Sequence, residues 1–298
     1  MLKKNMPSYD DTEGPQVPAG YPGVIDAHVH LFPHRIASAV WQWFDDNGWP
    51  IRYQMTSSEV LEYLLSRGVR HVIALQYAHK PGIAADLNRY MTLKCDEYKG
   101  HVTGMATVFP GEKNAENILQ DAFDAGLGGL KLHAHVQCFD MNSQQMSSLY
   151  EICRRNKKPV VMHIGREPSS TAYRCDPYEL CSAEKLEKVI NDFPGVKFCV
   201  PHLGFNETAE YRRLIEKYDN LWLDTAMVIT DYFKHNEKID LGRYRGDRIM
   251  YGSDFPNIPY AWDRELRQLE KMSLSEDGLE KFLSGNAAHF FGLNVSIF

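Results

Sequence analysis

The residues of this chain best suited to chemistry are His28 and His30, which close the apolar run Val24-Ile25-Asp26-Ala27-His28-Val29-His30. Side chains i and i+2 of a β-strand face the same way, so two imidazoles at a strand's end can converge on one metal ion. A His-x-His pair alone equally describes two surface or hydrogen-bonded histidines, so its partners decide. Four later apolar segments carry candidates. Gly128-Gly129-Leu130-Lys131-Leu132-His133 holds a lysine, Pro159-Val160-Val161-Met162-His163 ends in a histidine, and Val196 to His202 ends in another. Arg248-Ile249-Met250-Tyr251-Gly252-Ser253-Asp254 closes on an aspartate.

These groups are far apart along the chain, and only one kind of scaffold brings them together. Strand patterns begin near residues 24, 70, 101, 128, 159, 196, 220 and 247, with amphipathic helix patterns between them at 57–66, 84–98, 115–125, 143–156, 183–192, 208–217 and 262–272. Asn142-Ser143 precedes one helix start and Gly126 follows one stop, as capping chemistry requires. Eight βα units with right-handed crossovers predict an α/β fold of the (β/α)8 TIM-barrel type, in which the C-terminal ends of all strands meet in one site. The strands are apolar on both faces, as buried parallel strands are. The expected organisation is a flexible N-terminal arm over residues 1–22 and a single barrel domain over 23–298, with long loops after strands 1 and 5 at Leu31 to Ser57 and Ile164 to Ser182. Trp41, Trp43, Phe44, Trp49 and Tyr53 in the first loop read either as an aromatic lid or as a local hydrophobic cluster.

Composition narrows the function class. Against 39 acidic residues there are 33 lysines and arginines, a formal charge of −6, and basic residues cluster no further than short groups such as Arg154-Arg155-Asn156-Lys157-Lys158, which reads as a solvated helix end. Nucleic acid is therefore not an expected partner. No segment has the unbroken apolar length of a membrane span, and Met1 to Gly23 lacks an apolar signal core, so a soluble cytoplasmic protein is expected. Six cysteines show no CxxC pairing, which fits a reducing compartment; only Cys175 and Cys181, in the loop after His163, are candidates to face a ligand or bridge.

Taken together, the motifs resemble the amidohydrolase superfamily, and their wording is closest to its amidohydrolase-related branch. The resemblance rests on Ile25 to His30, Gly129 to His133, His163, His202, Tyr251-Gly252-Ser253-Asp254-Phe255-Pro256 and Gly285-Asn286-Ala287-Ala288, and spans Val24 to Leu293. It implies a metal centre with His28, His30, His163 and Asp254 as ligands, and His202 as a further ligand or a catalytic base. The metal it implies is zinc, with manganese as the alternative; Asp254 would accept and return the proton of a water made acidic by that metal. Dinuclear relatives carbamylate a lysine at the place of Lys131, whereas many of this branch hold one metal; an unmodified Lys131 and a single metal are the expectation. If Lys131 points inward, His133 and His135 share its side and, with Gln137, line the substrate pocket or, as the lesser alternative, help to hold a second metal. Arg166 and Arg174 are candidates to clamp an anionic substrate, against the commoner fate of exposed salt bridges.

The first expectation for function is a metal-dependent hydrolase of a small ester, lactone or amide. The alternative is a non-oxidative carboxy-lyase acting on a small unsaturated or aromatic acid, because the same branch includes barrel decarboxylases with the same ligand set. A barrel that binds without turnover is disfavoured by the presence of two proton-transfer candidates. The partner is a small molecule, and a homodimer is the prior for a soluble enzyme.

Overall fold

The computed structural model describes residues 10–167, 170–232 and 239–294, so residues 1–9 of the expected arm and His235 lie outside it. Eight parallel strands follow one another: β1 (Val24–His30), β2 (Val69–Leu75), β3 (Val102–Gly104), β4 (Leu130–His133), β5 (Val160–His163), β6 (Phe198–Val200), β7 (Leu221–Asp224) and β8 (Ile249–Met250). Each begins within two residues of its expected start. The ladders run β1-β2-β3 and β4-β5-β6-β7-β8. At the two seams single bridges replace ladders, Ala106 with Leu130 and Val29 with Phe255. Backbone bonds reinforce both, with Lys131 N donating to Ala106 O at 2.8 Å and His30 N to Phe255 O at 2.8 Å. The architecture is that of a (β/α)8 barrel.

Helices on the outside are α1 (His34–Asn47), α2 (Ser57–Ser66), α3 (Ala84–Glu97), α4 (Ala115–Asp124), the single turn α5 (Ala134–Gln137), α6 (Gln144–Arg155), a second single turn α7 (Pro177–Leu180), α8 (Ala183–Asp192), α9 (Thr208–Lys217) and α10 (Arg264–Leu269). Their starts follow local chemistry. Thr56 and Glu59 form a reciprocal capping box on α2, and Ser143 and Ser182 accept from the backbone N–H groups of Met146 and Lys185. One segment departs from expectation: 31–57 is not all loop, because α1 occupies much of it. Its start carries no side-chain cap, only Pro33 at the N-cap position, so the usual start signal was absent.

The aromatic residues of that segment divide between the two readings. Trp41 is buried with Phe32, Ala37 and Ile51 in a local hydrophobic cluster, and Tyr53 is buried in the main core. Trp43 instead stacks on Tyr173, centroids 5.6 Å apart, and Tyr173 faces His135 at 4.6 Å. The N-terminal residues also differ from a free arm over the part described. Glu13 accepts from Tyr53 and Tyr63 at 2.5 and 2.8 Å, Asp11 pairs with Arg264 at 2.6 Å, and Gly14 O accepts from Trp262 Nε1 at 3.0 Å. A charged anchor binds that strap to α2 and α10.

The barrel interior holds Ile25, Ala27, Ile73, Leu75, Met105, Val161, Cys199, Trp222 and Met250, and is closed at one end by Phe290 and Phe291 of the last helix. One irregularity decides what sits above that plug. Along β1 the pairing passes from Asp26 opposite Val72 to Val29 opposite Ala74, three residues on one strand against two on the other. This is a β-bulge, and it flips the alternation. Below it Ile25 and Ala27 point into the barrel; above it His28 and His30 do.

Candidate metal centre

The bulge is pinned by Asp26. Its Oδ1 accepts from His28 N at 3.1 Å and Ser253 N at 3.0 Å, and its Oδ2 from Ser253 Oγ at 2.5 Å. Burial raises its pKa to about 7, opposed by those three bonds. Asp26 thus ties the end of β1 to the segment after β8. Gly252 is required there, since a Cβ would stand 2.8 Å from that of His28. Asp254 then adopts a left-handed backbone, φ 63°, a conformation that Asp tolerates better than most residues, and its N–H donates to His28 O at 2.9 Å.

Three donor atoms consequently meet. His28 Nε2 and His30 Nε2 are 3.2 Å apart, and Asp254 Oδ1 is 3.4 Å from the first and 3.1 Å from the second. Donors sharing one ion at about 2.1 Å stand roughly 3.0 to 3.4 Å from one another, so the spacing fits a metal. The electrostatics fit as well. Burial, then the charge of Lys131, pushes the His28 pKa well down, and burial lowers that of His30, leaving neutral imidazoles with lone pairs to give. Burial alone would raise the Asp254 pKa, but the surrounding imidazoles, His30 first, outweigh it, so its pKa is lowered and the carboxylate stays ionised.

A second carboxylate, absent from the sequence reading, fixes the tautomer. Asp224, at the end of β7, has Oδ2 2.9 Å from His28 Nδ1, so Nδ1–H donates to it and Nε2 is left for the ion. Its Oδ1 accepts from His202 N and Ala226 N, each at 3.1 Å. Leu221-Trp222-Leu223-Asp224 carried the signal used for the other strands, an ionisable residue at a strand end. His202 follows β6 in a left-handed turn, φ 57°, and donates Nδ1–H to Ala226 O at 2.7 Å. Its Nε2 is buried with no hydrogen-bond partner among the described residues. It is an unused acceptor 5.2 Å, ring to ring, from His28.

His163 lies 4.8 Å from the His202 ring, but its donor atoms group with those of His133 and His135 rather than with the trio. His133 and His163 are paired in the β4–β5 ladder and stack at 3.8 Å. Burial holds the His163 pKa at about 3, and Nε2 faces Glu167 Oε2 at 3.4 Å. Glu167 is the other buried carboxylate among these histidines that the sequence reading missed; the His163-x-x-x-Glu167 spacing was its only trace. Lys131 is wholly buried in the barrel, its Nζ unpaired among the described residues, and burial lowers its pKa to about 8 against the pull of Asp224 and Asp254.

The remaining candidates are spent elsewhere. Gln137 accepts from His133 N at 2.8 Å and donates to Ala78 O and Val108 O at 3.0 and 2.7 Å, tying β4 to the neighbouring loops instead of facing a pocket. Arg166 donates to Tyr178 O at 3.3 Å and lies 3.8 Å from Glu207. Arg174 hooks His79 O and Val136 O at 3.2 and 3.4 Å across two loops. Among the cysteines, Cys175 donates to His135 O at 3.0 Å and neighbours Cys138, while Cys181 is buried and all six are free thiols. Cys175 and Cys181, the two candidates to face a ligand or form a bridge, are thus unbridged, and the thiol beside Cys175 is that of Cys138.

Comparison with solved structures places this arrangement among barrels of like architecture. An uncharacterised TIM-barrel protein from Bordetella bronchiseptica is 18% identical with a TM-score of 0.70, covering 91% of this chain and 99% of its own. A 5-carboxyvanillate decarboxylase from Novosphingobium aromaticivorans, solved with manganese, is 17% identical with a TM-score of 0.63, over 96% and 99%. A probable 2-pyrone-4,6-dicarboxylic acid hydrolase from Acinetobacter baumannii is 14% identical with a TM-score of 0.63, over 91% and 100%. No curated protein sequence matches. At such identities the likeness is one of fold, but a sequence model described as amidohydrolase matches residues 25–293, from the first strand through the closing helix. That match takes in every strand end that contributes to the site, and the chain belongs to the amidohydrolase family.

Proposed function

We propose that the chain is a metal-dependent hydrolase of a small ester, lactone or amide, with its ion held by His28, His30 and Asp254; His163, the fourth ligand that the family resemblance implies, groups here with His133 and His135. The observation that carries this is the convergence of three donors beside a buried, unpaired acceptor, His202 Nε2. A zinc or manganese ion there supplies a Lewis acid for the substrate's oxygen and acidifies water near neutral pH. The chain's own groups move the protons. Asp254, kept ionised, takes one from the attacking water and returns it to the leaving group. His202, with Nδ1–H committed to Ala226, has only Nε2 for a second proton. Asp224 holds His28 and His202 in register, and Tyr77, edge-on to His30 and His133 at the mouth, shields the centre from bulk water.

Lys131 acts in this reading as a buried amine that offsets Asp224 and Asp254, and it is not carbamylated. In 13C-bicarbonate, the protein is expected to show no carbamate resonance and no bicarbonate dependence of turnover; either signal overturns the assignment.

The carboxy-lyase reading has its own support, since decarboxylases of 5-carboxyvanillate and 2,6-dihydroxybenzoate share the fold. The two readings differ in where oxygen goes. Hydrolysis adds the elements of water, so in 18O-labelled water one label is expected in the product for each bond cleaved. Release of carbon dioxide with solvent hydrogen on the product carbon, and no incorporated label, transfers the chain to the carboxy-lyases with the same metal centre.

A further inference from the structure

Away from the metal centre, the fold brings two thiols together at the rim of the barrel mouth. Cys138 closes α5 in a left-handed conformation, φ 54°, and is the one exposed thiol of the six. Cys175, just ahead of α7, is half-buried. Cys138 Sγ donates to His135 O at 3.4 Å and Cys175 Sγ donates to the same oxygen at 3.0 Å, which makes the two thiols neighbours. Little apolar packing holds Cys175 there. Among residues 170–180 only Pro177 is buried, and the stretch is tied down by polar bonds, those of Cys175 and those of Arg174 to His79 O and Val136 O. A segment held in this way opens at low free energy. Its Tyr173 covers the ring of His135 and stacks on Trp43, so opening uncovers that side of the mouth.

We propose that Cys138 and Cys175 are an oxidative modification site, closing under hydrogen peroxide to a disulfide that staples residues 170–176 onto α5. The sulfur of Cys138 attacks one peroxide oxygen: an S–O bond forms, the O–O bond breaks, and the second oxygen leaves as water with the thiol proton. Cys175 then attacks the sulfur of that sulfenic acid. The S–S bond forms, the S–O bond breaks, and a second water leaves with the Cys175 proton. Two thiols lose two electrons between them, and one peroxide becomes two waters. The order of the steps follows from access. Cys138 meets solvent, whereas burial, and after it the Cys138 thiol, pushes the Cys175 pKa up to about 12, so that Cys175 is left to react with a sulfur already at its side. A resolving thiol so close stops the first cysteine at the disulfide, short of the irreversible acids.

Peroxide treatment of the full chain, followed by alkylation of the remaining thiols and mass spectrometry, tests this without any substrate. The wild type is expected to become two hydrogen atoms lighter and to yield a linked Cys138–Cys175 fragment that dithiothreitol separates. Cys138→Ser and Cys175→Ser are expected to lose that bridge, and Cys181→Ser to keep it. Amide hydrogen exchange over residues 170–176 is expected to slow about tenfold on oxidation and to recover on reduction. Cys138 driven to the sulfinic acid while Cys175 still takes the alkylating agent overturns the proposal, as does a bridge from Cys175 to Cys181. Unchanged exchange in the bridged protein overturns the staple. Where Cys138→Ser disturbs the left-handed turn, as circular dichroism would show, Cys175→Ser alone decides: a Cys138 that there goes on to sulfinic acid supports the pair, and one that halts as in the wild type overturns it.

Discussion

Asp254→Asn is expected to lower turnover by a factor on the order of 10² or more while leaving the protein folded. The amide has nearly the shape of the carboxylate, and asparagine, like aspartate, tolerates the left-handed backbone found at this position, φ 63°. The bond from its backbone N–H to His28 O, 2.9 Å, is therefore retained. What disappears is a group able to take and return a proton, together with the charge beside His28 and His30. Metal content has to be measured in the same sample, because weakened ligation lowers turnover as well. Near-normal turnover at normal metal content removes Asp254 from the proton-transfer role.

Asp224→Asn is expected to weaken metal binding by about 10- to 100-fold without touching a ligand. The carboxylate accepts Nδ1–H of His28 at 2.9 Å with one oxygen and the N–H groups of His202 and Ala226 with the other. An amide in its place presents an NH2 to one of these donors. The His28 ring then loses its fixed tautomer, or the turn carrying His202 loses its anchor. Competition with a chromophoric chelator measures the affinity, and the pH profile of turnover separates this effect from loss of a base: excess metal restores the rate of Asp224→Asn but not of Asp254→Asn. Unchanged affinity in Asp224→Asn disproves the orienting role.

Much of the architecture is legible in the sequence because buried parallel strands leave a simple record. Each is a short apolar run, each is followed by a helical period, and eight in succession leave few topologies open. The cap at Ser143 and the stop at Gly126 were readable for the same reason, since they act within one turn. The helix at His34–Asn47 was not, because Pro33 caps it without a side-chain bond and its tryptophans read equally well as a lid. The strap formed by residues 10–22 was hidden too. Its bonds run from Asp11 and Gly14 to Arg264 and Trp262, partners roughly 250 positions away that no local pattern reveals.

By itself the sequence determined the strand ends and the residue types placed on them: His28, His30, Lys131, His133, His163, His202 and Asp254 stand where ionisable groups end apolar runs. Only the tertiary structure decided which way they face and what holds them. The bulge between Asp26 and Val29 turns the two histidines inward, and a bulge is set by pairing with β2, not by local propensity. The left-handed turns at His202 and Asp254 depend on contacts across the barrel, as does the requirement for Gly252. Asp224 and Glu167 acquire their roles from imidazoles on other strands and loops, and Arg166 and Gln137 lose theirs to nearer partners. Alternation and spacing fix an address along a strand, whereas hydrogen bonds and burial between strands fix the chemistry performed there.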